Sequence, residues 1–255
     1  MSNVLSDSKL VFQREMMLVL RDPFSVIFSL VQPLVFLGLF GPLLGGAVAS
    51  QELGGQSALQ WFLPGVLVMI CLFGTSAVGA NLLYEFMTGS YERMVATPLS
   101  RSSLLIGRAL KELAPLVVQA MLITSVAVIF GFRLHPVHAV VGLAILGVFG
   151  IGVGGLSYSL GIATRKREWM FWAVQQSLIF PLLILSGMML PLEAGPGWMQ
   201  VAARFNPLSY IVDAERALFS EGAFTGAVLV GSLAAVITAV VGLTVGVRQI
   251  RRSTT

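Results

Sequence analysis

Six runs of roughly twenty apolar residues, at about 24–46, 60–83, 112–131, 139–163, 171–190 and 224–247, leave this chain little choice of solvent. A helix of about 20 apolar residues crosses the ~30 Å hydrocarbon core of a bilayer, because each backbone polar group there must find its partner within the chain. The composition agrees: 56% hydrophobic and 11% charged residues, with a mean hydropathy of +0.87, supply too little polar surface for a water-soluble body of 255 residues. The runs lack the period-two alternation of barrel strands, and their Leu, Val, Ala and Gly content suits helices packed closely on one another. We therefore expect an all-α integral membrane protein with six transmembrane helices.

Charge sets the expected orientation. Lys9, Arg14, Arg21, Arg93, Arg101, Arg108, Lys111, Arg165, Lys166, Arg167, Arg248, Arg251 and Arg252 fall on one side of the six runs, thirteen of sixteen basic residues; Arg133, Arg204 and Arg216 fall on the other. Positive loops stay in the cytoplasm, which puts both termini, the 84–111 connection and the TRKREW turn at 164–169 inside. With seven acidic residues inside and five outside, the inner face carries about +6 and attracts anionic lipid headgroups. The N-terminal stretch mixes Asp7, Glu15 and Asp22 with its basic residues and holds no cleavable apolar region, so the first run is expected to be its own insertion signal. The basic residues are scattered, without the interleaved aromatics of a nucleic-acid surface. A single cysteine, Cys71, allows no internal disulfide and reads as packing.

The interiors of the runs hold no Asp, Glu, Lys, Arg or His, Glu112 belonging to the inner edge of the third. An intramembrane charge costs at least about 2.5–3.5 kcal/mol, so proton relays and ion-selective pores keep one only for function. Their absence argues against coupling through a buried carboxylate, and energy for uphill work is expected to enter from outside the membrane. The two histidines, His135 and His138, flank Pro136 in a short outer turn and read as solvated loop residues. Gln32, Thr75, Ser76, Asn81, Ser157, Ser159, Gln175, Gln176 and Ser186 read first as helix-to-helix hydrogen bonders. Gln32-Pro33 and Phe180-Pro181 are expected to break helices near mid-run, as a lined pathway or a hinge requires. Glycines at 38, 41 and 45, at 150 and 154, and at 242 and 246 stand at spacings that let backbones approach.

Three connecting pieces carry more than a turn needs. Along the first 22 residues, Leu5, Phe12, Met16, Val19 and Leu20 share an arc opposite Asp7, Arg14 and Arg21, the pattern of an amphipathic helix on the membrane interface, closed by Asp22-Pro23. Between Gly89 and Thr97-Pro98, Ser90 to Ala96 can form about two turns with Glu92 and Arg93 on the polar side and Tyr91, Met94 and Val95 free to pack. So short a helix is marginal alone and needs something to dock into, which suits a receiver of force from a soluble machine. In the outer connection, 188–223, Gly195-Pro196-Gly197-Trp198 is a turn with an interfacial aromatic. Asn206 can cap a helix that starts at Pro207, with Leu208, Ile211, Val212, Ala214, Leu218 and Phe219 as its apolar faces and Asp213 paired with Arg216. Short helices dipping into the outer leaflet, able to seal an exit, are expected there.

With SYERMVATPLSRSSLLIGRAL after the second run, LILSGMMLPLEAGPGWMQVAARFNPLSYIVDAERALF around the fifth, and the amphipathic start, the chain resembles permeases of ABC-2 type exporters, among them daunorubicin-resistance membrane subunits. The resemblance implies an interfacial helix within 1–23, a six-helix domain over 24–247, a basic tail over 248–255, and external re-entrant helices over 188–219. It also implies a coupling helix at 88–98, in which Ser90, Tyr91, Glu92, Arg93, Met94 and Thr97, with Arg14, meet the ATPase. A path bordered by the first, second and fifth spans would draw on Gln32, Phe36, Phe40, Phe73, Asn81, Gln175, Gln176 and Phe180, and an external gate on Pro191, Trp198, Asn206 and Tyr210. The implied partners are two cytosolic ATPases, which bind the ATP and Mg, and a second copy of this permease or a relative, in a bacterial plasma membrane. This chain has no G-x-x-x-x-G-K-[ST] loop, so it is not expected to be the ATPase. Aromatic-bearing apolar spans favour a hydrophobic or amphipathic drug or lipid-like cargo. A lipid-linked glycan remains open, as do a non-transporting scaffold and an ATP-independent channel.

Overall fold

The computed structural model describes residues 7, 9–13, 16, 17, 24, 28–47, 57–90, 107, 110, 111, 113–192 and 195–252. Among them are eight α-helices and one π-helical turn, and no strand. The six apolar runs fall on α1 (Val31–Ala47), α2 (Ala58–Met87), α3 (Leu113–Ile129), α4 (Pro136–Ala163), α5 (Glu168–Ile184) and α8 (Gly226–Arg252). Between the last two lie α6 (Gly197–Ala203), α7 (Pro207–Arg216) and a π-helical turn, Ala217–Glu221. By length and composition α2, α4 and α8 can each cross a membrane. α1, α3 and α5 have 17 residues each, about 25 Å at 1.5 Å per residue.

α2 is the central post. Phe62, Leu63, Val66, Leu67, Val68, Cys71 and Leu82 are wholly buried along it, with α1, α3, α4, α5 and α7 all against it. Ser57 starts it, its hydroxyl accepting from the Gln60 amide at 3.2 Å, a cap that satisfies one of the helix's open N–H groups. α4 lies between α2 and α8, and glycine makes this possible. A Cβ at Gly150 would come 2.8 Å from Thr75 Cγ2, and one at Gly242 would overlap the Gly152 carbonyl. Gly152 likewise faces the Thr238 backbone, and Gly161 faces Gly79. The close approach expected for Gly150 and Gly242 is thus real. Gly38 and Gly41, in contrast, have open space where a side chain would stand.

Gln60, Arg133, Ser220 and Trp61 mark one end of this bundle, the Trp61 end. At the opposite end Val78, Leu82, Tyr158, Ile162 and Ile250 form a separate apolar cluster. α8 runs on through residues 248–252, and its Ile250 belongs to this cluster.

The two proline sites behave differently. α5 runs through Pro181 to Ile184, and the Leu185 amide still reaches the Pro181 carbonyl at 2.9 Å, so no break occurs at Phe180-Pro181. Near the last turn a proline forfeits only one N–H bond, and the turn follows it. At the first site the expected break is present: helical residues at Phe28 and Ser29 and from Val31 onward are interrupted at Leu30, in the turn before Pro33, whose missing N–H and ring disturb that turn.

Candidate functional site

The densest polar construction joins α5, α6, α7 and the start of α2 at the Trp61 end. After Ile184 the chain turns through Leu185–Gly187, where Gly187 takes a φ of +70° that favours glycine. The Ser186 hydroxyl donates to the Leu183 carbonyl at 2.7 Å and accepts from the Met188 amide at 3.3 Å. Met188 is thereby pressed, fully buried, onto Gly65 of α2, where an added Cβ would lie 2.9 Å from the Met188 Cβ. The S-G-M sequence is thus a turn that ends α5 and folds back on α2.

α7 is fastened to that turn. Asn206 caps it as expected, its side-chain oxygen accepting from the Leu208 amide at 3.0 Å with Pro207 at the first helical position. The Asn206 side-chain nitrogen donates to the Leu182 carbonyl at 2.8 Å, and the Ser209 hydroxyl donates to the Leu185 carbonyl at 2.9 Å. These two bonds satisfy carbonyls that the end of α5 leaves without intrahelical partners. Tyr210 donates to the Arg204 carbonyl at 2.7 Å, closing the α6–α7 corner. Arg216 donates to Gly187 O at 2.7 Å and lies over the Trp61 ring at 3.8 Å, while its pairing with Asp213, expected at i, i+3, is long at 3.7 Å. Gln60 adds a second clasp: its side chain donates to the Arg133 and Ser220 carbonyls and accepts from the Arg133 amide at 3.0 Å.

Of the expected gate residues, Asn206 and Tyr210 belong to this construction, Pro191 is half-buried beside it, and Trp198 stands exposed on α6. Of the path residues, Phe36 and Phe40 stack at 5.3 Å and Phe40 stacks on buried Phe62 at 5.8 Å, an aromatic ladder from α1 to α2. Phe73 is half-buried against the core. Gln32, Asn81, Gln176 and Phe180 are exposed, and Gln175 is half-buried with its oxygen unpartnered among the described residues. They occupy α1, α2 and α5, and both α1 and α5 pack on α2. Of the expected coupling residues only Ser90 is described, helical and half-buried at the opposite end; Tyr91, Glu92, Arg93, Met94, Thr97 and Arg14 lie outside the described residues. The described positions of the N-terminal stretch are helical, with Val11 buried and Phe12 and Met16 half-buried. His135 and His138 are half-buried rather than solvated: His135 lies under Gly222, and His138 packs on Phe224 at 4.6 Å.

Among the polar residues within runs, Ser157 bonds across helices, donating to Ser76 O and accepting from the Gly79 amide. Thr75 and Ser76 instead bond back to Cys71 O and Leu72 O of their own helix. Two groups were invisible as site residues in the sequence. Gln60 carries no motif. Glu215, counted among the outer acids, is fully buried with neither carboxylate oxygen bonded among the described residues. The signal for it is spacing: Glu215 follows Ile211 by four and precedes Phe219 by four, on the stripe that faces the core. Burial pushes its carboxyl up to about 8. The six runs themselves hold no such group in their interiors, as read; Glu215 is buried against them from α7, outside the runs.

Comparison with known proteins matches residues 7–220 to the ABC-2 type transporter family. A daunorubicin resistance ABC transporter permease protein, DrrB1, of Streptomyces coeruleorubidus is 30% identical over 207 residues, covering 80% of this chain and 72% of that protein. A putative transport permease, ycf38, of Cyanophora paradoxa is 30% identical over 206 residues, 80% of this chain and 71% of that one. A probable doxorubicin resistance ABC transporter permease protein, DrrC, of Mycobacterium tuberculosis is 24% identical over 204 residues, 79% and 72% of the two chains. ABC-2 permeases work with ABC ATPase subunits. A match across most of the chain, including the α5–α7 construction, leads to one conclusion: this protein belongs to the ABC-2 type transporter family, as a membrane-embedded permease.

Proposed function

We propose that this chain is the membrane-spanning subunit of an ATP-driven exporter that moves a hydrophobic or amphipathic drug or lipid-like molecule out of the cell. Six spans cross a bacterial plasma membrane with both termini in the cytoplasm. Two ATPases, which bind ATP and Mg, dock at the Ser90 end, and a second copy of this permease or a relative completes the pathway. The α5–α7 construction is then the outer seal, and the ladder of Phe36, Phe40 and Phe62 with Gln32, Asn81, Gln175 and Gln176 borders the cargo path.

The observation that carries the reading is the likeness, over about four-fifths of the chain, to permeases named for daunorubicin and doxorubicin resistance. The geometry supports it: the span-length helices α2, α4 and α8 form a packed body, and the α5–α7 end is clasped to α2 and not left as open loop. The test uses inside-out vesicles holding this chain with an ABC ATPase that co-purifies with it, and daunorubicin as probe. ATP-dependent uptake is expected, abolished when the ATPase's phosphate-loop lysine is replaced. Uptake driven by a proton gradient without ATP, or none with a competent ATPase bound, overturns the proposal.

A further inference from the structure

Glu215 is the one acidic side chain described as wholly enclosed, and its surroundings say what it can bind. Its Oε2 fits a notch in α4 that exists because residue 142 is glycine: a Cβ there would lie 2.5 Å from that oxygen and 2.6 Å from Cε2 of Phe219. Phe219, itself buried, covers the carboxyl beside the notch. Among the described residues no cation compensates it. On α7 itself, Arg216 is turned to Gly187, Trp61 and Asp213. α2 presents Cys71, whose thiol donates to Leu146 O at 3.2 Å. The nearest titratable group along α4 is His138, one turn away and packed on Phe224, and α8 carries none between Gly226 and Val247. An ionised carboxylate without a partner in such a place is strongly disfavoured and neutralises instead.

We propose that Glu215 is a proton-binding site: with α7 seated on α4 it is held as the neutral acid, and when α7 leaves α4 its O–H bond breaks and the proton passes to the water that enters. The direction of the linkage follows. Seating raises the group from an ordinary 4.5 to about 8, so protonation favours the seated arrangement. That advantage is complete below the ordinary value and is lost as pH rises towards the seated value, by about tenfold per pH unit between them. Protons reaching the Trp61 end thus oppose its opening. The proposal rests on the reading of α7 as part of the seal only for what opens; the protonated carboxyl itself needs no cargo, ATP or partner.

Two measurements on the full chain in lipid nanodiscs test it. Infrared spectra at neutral pH should show the carbonyl stretch of a protonated carboxylic acid that disappears in Glu215→Gln; no difference between the two overturns the proposal. Cys71, the single cysteine and a neighbour of the site, serves as a native reporter. Its labelling rate by a small maleimide, divided by the rate in Glu215→Gln at the same pH, removes the pH dependence the two proteins share, and a charge on Glu215 can only slow the neighbouring thiol, so a rise in the ratio reads exposure. The ratio should rise at least about tenfold from about pH 5 to about pH 8. Glu215→Met, neutral and of similar length, should behave as the glutamine variant does, which guards against one variant failing to fold. A flat ratio with both variants folded sinks the proton linkage. A protonated band with a flat ratio sinks the coupling to α7 while leaving the exporter reading untouched.

Discussion

At the scale of single residues, what matters most is which positions tolerate no atom and which hold one that is hard to replace. Gly242 is of the first kind: any side chain would overlap the Gly152 carbonyl, while Gly38 faces open space. Gly242→Val should lower the unfolding midpoint in detergent, at a cost at the upper end of the ~1–3 kcal/mol of overpacking. Gly38→Ala should leave it unchanged or raise it by the ~1 kcal/mol of helix preference. Equal effects would mean that α4 and α8 do not meet through glycine. Arg216 is of the second kind. A lysine keeps the charge but loses the planar contact over Trp61, and one ammonium cannot both reach Gly187 O and lie flat on the ring. Arg216→Lys should therefore cost about 1–2 kcal/mol in the same measurement. Asp213→Asn should cost little, since that carboxylate is exposed and 3.7 Å away. The composition made Gly242 readable as a packing glycine, because helices of this kind approach through small residues. It could not show Glu215, since an acid in a loop between apolar runs is assigned to water until the helical stripe it shares with Ile211 and Phe219 is counted.

At the scale of elements, the apolar runs located six of the helices, and Asn206-Pro207 located the start of α7, because length in hydrocarbon and capping chemistry are local. Pro181 misled, since where a helix ends beyond a proline is decided by what receives its carbonyls, here Asn206 and Ser209 from another element. Asn206 thus does two jobs, capping α7 and tying it to α5, and two variants separate them. Asn206→Ser keeps a cap acceptor but is too short to reach Leu182 O; Asn206→Ala loses both. The difference between the variants should be about 1 kcal/mol, the worth of a cap. That between wild type and serine reads the tie, a further ~1 kcal/mol or more, because a buried carbonyl is left unsatisfied. If serine matches wild type in thermal unfolding, the Asn206 amide does not hold α7 to α5, and that tie rests on Ser209 and the Leu185 carbonyl.

At the scale of the whole molecule, the exposed faces differ in kind, and the difference points to where a second permease should sit. α8 exposes Leu229, Leu233, Ile237 and Val241, and Ser232, Thr238 and Thr244 each bond back to a carbonyl of their own helix. That face suits lipid. α1 and α5 also expose large apolar groups, but among them stand the amides of Gln32 and Gln176, with Gln175 short of a partner for its oxygen. Amides facing hydrocarbon without partners cost free energy, and a facing helix removes that cost. The glycines of α1 that pack on nothing, Gly38 and Gly41, are consistent with an approach from outside the chain. If two copies pair, they should pair through α1 and α5. In a Cys71→Ala background, single cysteines at Leu39 or Leu178 should give disulfide-linked dimers in membranes under mild oxidation, and cysteines at Leu233 or Ile237 should not. Cross-linking confined to the α8 positions would reverse the assignment and remove Gln32, Gln175 and Gln176 from the cargo path. No cross-link at either face, in vesicles that still transport, would point to a related permease as the second subunit in place of a copy.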